Sequence, residues 1–327
     1  MPSAPPPPRP KTLTEPSAQQ RRTSGVVRRA LIIVLTLASA SCGVTDARPT
    51  APPATGSSSV AVAPDLAAQF AYDANGPMGL VEKGSTTDGT LTIHDIEFSS
   101  PKGGPARAYL ITTPTSAAIP AMVFVAGSNE RREDIRIQAI GVARRGVVAL
   151  VLEQSQIAAG RSQIWTFTDQ DRSEAIQTVV DARRAIDVLI ARNDVDRARV
   201  GFYGFSYGAW LGAITAAVDK RVSLVVLRSG GPQILAEIAR ASSRTLTPEY
   251  TTTMARVDQM AYAPAIGAPV LVQNGSRDTT FTAEQMRAWQ ERVGGTKTVK
   301  NYDAGHTLDA QSLTDALSWI AERWRLP

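Results

Sequence analysis

A serine hydroxyl is a poor nucleophile unless a base lies within hydrogen-bond reach and a third group orients that base. The stretch RVGFYGFSYGAWLGA, residues 199–213, presents a serine suited to such help. Ser206 stands between two glycines, in Gly204-Phe205-Ser206-Tyr207-Gly208. The pentapeptide alone is weak, since chance matches arise in roughly one chain in ten of this length. Its setting is more telling: a β-type run leads in, a small-residue helix leads out, and the glycines permit the sharp turn that exposes a nucleophile. The base is narrowed by composition, because the chain holds two histidines. His94 falls inside an expected strand and reads as structural. His306, in NYDAGHTLDA, falls on a loop between the last strand and the last helix. The orienting acid should sit in another strand-to-helix loop between Ser206 and His306. Asp278, in VLVQNGSRDTTF, meets that condition. Asp303 ends the strand that precedes His306 and should point elsewhere, and no carboxylate closely follows the strand at 222–228. An oxyanion would need two N–H donors. The N–H of Tyr207, directly after the nucleophile, is expected to be one. The loop AGSNERRED should give the other, from Ser128 or alternatively Asn129.

These residues need a scaffold that brings distant loops to one edge. TLTIHDIEF (90–98) and ARAYLITT (106–113) read as an antiparallel entry pair joined by a turn. AMVFVAG (121–127) and VVALVLE (147–153) are continuous apolar runs, as expected of strands buried on both faces. Further strands are expected before Ser206 and at 222–228, 268–275 and 296–303. Between them lie helical patterns, the longest with Ile176, Val179, Val180, Ile186, Leu189 and Ile190 on one face. Strands alternating with helices predict an α/β fold with a mostly parallel central sheet and helices on both faces. Such sheets place their sites beyond the carboxyl ends of the strands. Residues 229–265 interrupt the alternation with helix-prone sequence and read as a short helical lid insertion. That segment, with Trp165, Trp210 and Phe281, could shape an acyl pocket, although packing explains each equally well.

The net charge of +5 suggests a polyanion partner only until it is located. Arg9, Lys11, Arg21, Arg22, Arg28 and Arg29 stand against Glu15 in residues 1–42, and the remainder holds 29 basic and 29 acidic residues. Nucleic-acid binding loses its support. The leader instead has the layout of an export signal: basic residues, then the apolar run ALIIVLTLASA, then Cys42, the one cysteine of the chain. Eleven apolar-run residues are too few for a membrane-spanning helix. SASC resembles a lipoprotein box in which Cys42 would be lipidated, and Ala38-Ser39-Ala40 is the competing simple cleavage site. Residues 43–64, rich in Pro, Ser, Thr and Ala, read as a tether. The expected organisation is therefore signal 1–42, linker 43–64 and one domain 65–327. No metal or cofactor is implied.

The ordered set MVFVAGSNERRED, DARRAIDVLIARNDVDRARVGFYGFSYGA, PVLVQNGSRD and YDAGHTL resembles the α/β-hydrolase superfamily, especially its dienelactone-hydrolase-like and acetyl-esterase-like members. The resemblance spans about residues 65–327. It implies an α/β-hydrolase fold with Ser206 as nucleophile, Asp278 as acid and His306 as base. Two features depart. Ala126-Gly127 stands where many members carry His-Gly, and serine replaces the cysteine of dienelactone hydrolases proper, which points toward ordinary esters. The expected activity is an exported serine hydrolase acting on small-molecule carboxylic esters. Three rivals stay open: an acyltransferase with the same triad, a serine peptidase of prolyl-oligopeptidase type, and a silent binding protein on a hydrolase scaffold. The peptidases usually carry an accessory domain, and only about 65 signal-and-linker residues precede this one.

Overall fold

The structure is a computed structural model and describes residues 60–161 and 165–326. The export signal, Cys42 and the tether up to residue 59 lie outside the described residues. Helix α1 (Pro64–Ala68) is the first element among the described residues. The remaining elements follow in order. They are β1 (Val81–Asp88), β2 (Leu91–Ser99), β3 (Pro105–Thr112), β4 (Ile119–Val125), α2 (Arg136–Ala143), β5 (Val148–Leu152), α3 (Ser155–Ala158) and α4 (Asp169–Ile190). Then come β6 (Val195–Phe205), α5 (Tyr207–Val218), β7 (Val222–Arg228), α6 (Leu235–Ala241), α7 (Pro248–Ala255), α8 (Gln259–Tyr262), β8 (Val270–Gly275), α9 (Ala283–Arg292), β9 (Lys297–Tyr302) and α10 (Ala310–Trp324).

The strands form one sheet in the order β1-β2-β3-β5-β4-β6-β7-β8-β9. The β1–β2, β2–β3 and β3–β5 pairs are antiparallel, and the pairs from β5–β4 onward are parallel. The continuous apolar runs follow from this position. In β4, Val123 and Val125 pack into the core on one face, while Met122 and Phe124 pack into the core on the other. A strand covered by helices on both sides has no polar face to show. Strand β1 was not expected from sequence. Its residues VEKGSTTD are exposed almost throughout, so it lies at an edge with no hydrophobic alternation to betray it. The insertion after β7 holds α6, α7 and α8 and contributes no strand. Among the described residues no helix is long and apolar enough to cross a membrane.

Helix α4 carries an acid on its buried face. Asp181 is 2% exposed, and its Oδ1 has no hydrogen-bond partner. Burial pushes its pKa from the ordinary 3.8 up to about 7, against a smaller pull from Ser100. Between those values the folded protein binds a proton that the unfolded chain has released. Stability attributable to Asp181 is therefore full below about pH 4 and declines until about pH 7, by about 4 kcal/mol at most. Asp181→Asn removes this dependence. Urea unfolding should find the variant more stable than the parent at pH 8, by about 2–3 kcal/mol more than at pH 5. A gap that does not vary with pH would count against a raised Asp181.

Candidate active site

Strand β6 ends in Gly204-Phe205, and α5 begins at Tyr207, so Ser206 is the whole of the turn between them. Its backbone has φ 52° and ψ −113°, a conformation that costs a non-glycine residue about 1–3 kcal/mol. The neighbouring glycines make this turn possible. A Cβ on Gly208 would lie 2.1 Å from the carbonyl oxygen of Val125, and one on Gly204 would lie 2.2 Å from that of Gly208. The helix thus begins directly against β4, which no side chain larger than hydrogen allows. The turn is tied from the other side as well. The Ser206 N–H donates to the Arg228 carbonyl at 2.8 Å.

His306 lies on the loop between β9 and α10, and Asp278 on the loop between β8 and α9. The structure brings all three side chains together. His306 Nε2 is 2.8 Å from Ser206 Oγ, and His306 Nδ1 is 2.8 Å from Asp278 Oδ2. The Asp278 side chain has no exposed surface, while that of His306 is 22% exposed. Burial alone would raise the Asp278 pKa. The bond and charge of His306, with N–H donors from Thr280 and Phe281, overcome it and hold the carboxyl below the usual range. Those two N–H groups both donate to Oδ1, at 2.7 and 3.3 Å. The two loops are also bound to each other, Arg277 N–H donating to the Ala304 carbonyl at 2.9 Å. Phe205 and Phe281 flank the imidazole, with ring centroids 5.5 and 5.8 Å away.

The other two histidine and acid candidates sit elsewhere. His94 bridges strands at the far side of the sheet, 3.2 Å from Thr112 Oγ1 and 3.2 Å from Glu82 Oε2. Asp303 pairs with Arg277 at 2.8 Å and is 85% exposed. Tyr207 and Ser128 line one cavity together with Ser206, and Asn129 lines it too, with φ 59°. Tyr207 opens α5, where backbone N–H groups have no acceptor within the helix.

Several supporting residues carry no sequence motif. Glu130 Oε2 accepts from the Gly127 N–H at 2.6 Å. Gln154 Nε2 donates to the carbonyls of Ala126 and Gly127, at 3.0 and 2.7 Å. Together they clamp the loop that presents Ser128. Burial raises the Glu130 pKa, against the Gly127 bond, with Asp134 adding to the rise and His306 opposing it. Ser229 Oγ donates to the His306 carbonyl at 2.5 Å, so the end of β7 secures the serine turn and the histidine loop alike. The one signal that could have marked the clamp is the short Gly127-to-Glu130 spacing, suited to a turn closed by its own carboxylate.

Comparison with known proteins fits this arrangement. The profile of the dienelactone hydrolase family matches residues 107–316. Polyketide transferase ATR5 of Stachybotrys chlorohalonatus (strain IBT 40285) is 23% identical over 204 residues, 62% of this chain. That match spans 65% of the relative, less than two thirds of its length. Among solved structures, acetyl xylan esterase 1 from Thermoanaerobacterium sp. JW/SL YS485 superposes with a TM-score of 0.67 at 19% identity, covering 80% of this chain and 94% of the other. The acetyl xylan esterase from Paenibacillus sp. R4 gives 0.62 at 20%, covering 80% and 92%. At such identities the structural likeness is one of fold, that of the α/β-hydrolases. The matched span runs from β3 into α10, takes in Ser206, Asp278 and His306, and makes this chain a member of the dienelactone hydrolase family.

Proposed function

We propose that the protein is a serine hydrolase of carboxylic esters. The observation that carries the reading is the continuous chain of contacts from Ser206 Oγ through His306 to Asp278, each 2.8 Å long. Asp278 accepts a hydrogen bond from the Nδ1–H of His306, which keeps that proton on Nδ1 and leaves Nε2 free to act as base. Ser206 Oγ attacks the ester carbonyl as Nε2 takes its proton. The N–H groups of Tyr207 and Ser128 would hold the oxyanion, one at a helix N-terminus and one in the clamped loop. The imidazolium then protonates the departing alcohol, and water attacks the acyl-enzyme by the same route.

An acyltransferase would differ only in the acceptor, an alcohol in place of water. The similarity to a protein named polyketide transferase favours carrying that reading alongside. Product analysis with added acceptor alcohols separates the two. The leader supports export, with lipidation at Cys42 giving an envelope anchor and secretion after cleavage at Ala38-Ser39-Ala40 as the alternative. The organisation proposed is signal 1–42, linker 43–64 and hydrolase domain 65–327.

The first test is labelling of the full chain with a fluorophosphonate, mapped by peptide mass spectrometry. The adduct is expected on Ser206. Absence of any adduct on folded protein would overturn the serine-hydrolase reading.

A further inference from the structure

The cavity beside Ser206 has a volume of about 320 Å³. Ser128, Ser206 and Tyr207 form one part of its wall. Most of the rest is apolar: Trp165 and Trp210, then Ile234 and Ile238 of the insertion, and Phe281. No Asp, Glu, Lys or Arg lines it among the described residues. The walls are braced. Trp210 stacks on Trp165 at 5.8 Å and meets Tyr207 edge-on at 5.2 Å, while its indole N–H donates to the Val257 carbonyl at 2.6 Å. On the insertion, Gln259 Nε2 donates to the Gly231 carbonyl at 2.5 Å. These contacts fix the tryptophan side of the wall and the start of the insertion.

We infer that the chamber holds the acyl part of the ester and selects an uncharged chain of about six to eight carbons over acetyl. The inference rests on Ser206 being the nucleophile. A non-hydrogen atom takes roughly the volume of a water molecule, about 30 Å³. An acetyl group would therefore fill about a third of the space and leave apolar wall without partners, whereas a six-carbon chain fills much of it. The acyl part is assigned because it stays bonded to Ser206 after the alcohol has gone. A cavity walled in part by the insertion suits the group that remains, while the alcohol must leave and water must enter. The half-buried Ile238 on α6 lines this wall, so the size of its side chain changes the space open to the chain.

The test is kcat/KM of the full chain on p-nitrophenyl esters from acetate to dodecanoate. A second series holds the acyl group constant and varies the alcohol. Each methylene moved from water to an apolar wall is worth about fourfold. Hexanoate should exceed acetate by about 30- to 200-fold, and lengthening the alcohol should change the rate by about threefold or less. Ile238→Trp should cut the hexanoate-to-acetate ratio at least about fivefold, and Ile238→Ala should move the optimum to longer chains. These ratios do not depend on the fraction of active enzyme, so partial misfolding of one variant leaves the other informative. Acetate preferred over hexanoate, greater sensitivity to the alcohol than to the acyl chain, or an optimum that neither variant moves would each overturn the inference. No hydrolysis of any ester and no fluorophosphonate adduct would instead overturn the underlying reading of Ser206.

Discussion

His306→Ala is expected to lower kcat on an activated ester by about 10⁴- to 10⁶-fold, and Ser206→Ala by a similar amount. The size follows from the two groups acting as one unit: without a base the hydroxyl keeps its proton, and without the hydroxyl the base has nothing to activate. The double variant should therefore be little worse than either single one. Stability should change little in the histidine variant. The side chain sits on a loop and is partly exposed, and the backbone contact from Ser229 Oγ to the residue 306 carbonyl does not need the imidazole. Stopped assays on protein with an unchanged thermal midpoint, together with fluorophosphonate labelling, decide the matter. If His306→Ala kept more than about 1% of parental kcat, His306 could not be the base. Glu130, whose carboxylate feels the charge of His306, would then be the residue to examine.

The three residues whose side chains converge, Ser206, His306 and Asp278, were legible in the sequence because each demand narrows the choice. Two histidines leave one on a suitable loop, and the strand order then limits where a carboxylate can reach it. The core strands were equally plain, since burial on both faces forces long apolar runs such as AMVFVAG. What the sequence hid is what lacks either signal. Strand β1 is exposed along nearly its whole length, so nothing in its composition alternates. The start of helix α10 at Ala310 is set by Asp309, which caps it by accepting from the Ser312 N–H, a local bond rather than a periodic one. The braces of the site were hidden for a third reason. Glu130, Gln154 and Ser229 hold backbone groups that lie distant in sequence or unmarked by type, and only the folded chain shows which carbonyl or N–H each one meets. The residues around the cavity beside Ser206 were legible as candidates: Trp165, Trp210 and Phe281 line it, as do Ile234 and Ile238 of the insertion, but their types alone did not separate a pocket wall from ordinary packing.

Asp278→Asn should be nearly as damaging as loss of the base, with kcat lower by about 10⁴-fold, although the side chain keeps its shape. The reason lies in which way the new amide must face. Oδ1 of residue 278 accepts the N–H groups of Thr280 and Phe281, and an NH₂ group in that place would set donor against donor. The asparagine therefore keeps its oxygen there and turns its Nδ2 toward His306 Nδ1, the position now held by Oδ2 at 2.8 Å. A donor facing Nδ1 stabilises the tautomer that carries its proton on Nε2. That nitrogen then meets Ser206 Oγ as a donor and cannot take the hydroxyl proton. The charge is lost as well, so the imidazolium formed during the reaction has no anion beside it. Substrate binding does not involve residue 278, so the loss should fall on kcat, with KM changing by about threefold or less. Fluorophosphonate labelling of Ser206 should slow in proportion to kcat. An Asp278→Asn variant that keeps a tenth of parental kcat would show that Asp278 does not set the histidine tautomer, and would leave its two backbone contacts as a brace for the loop.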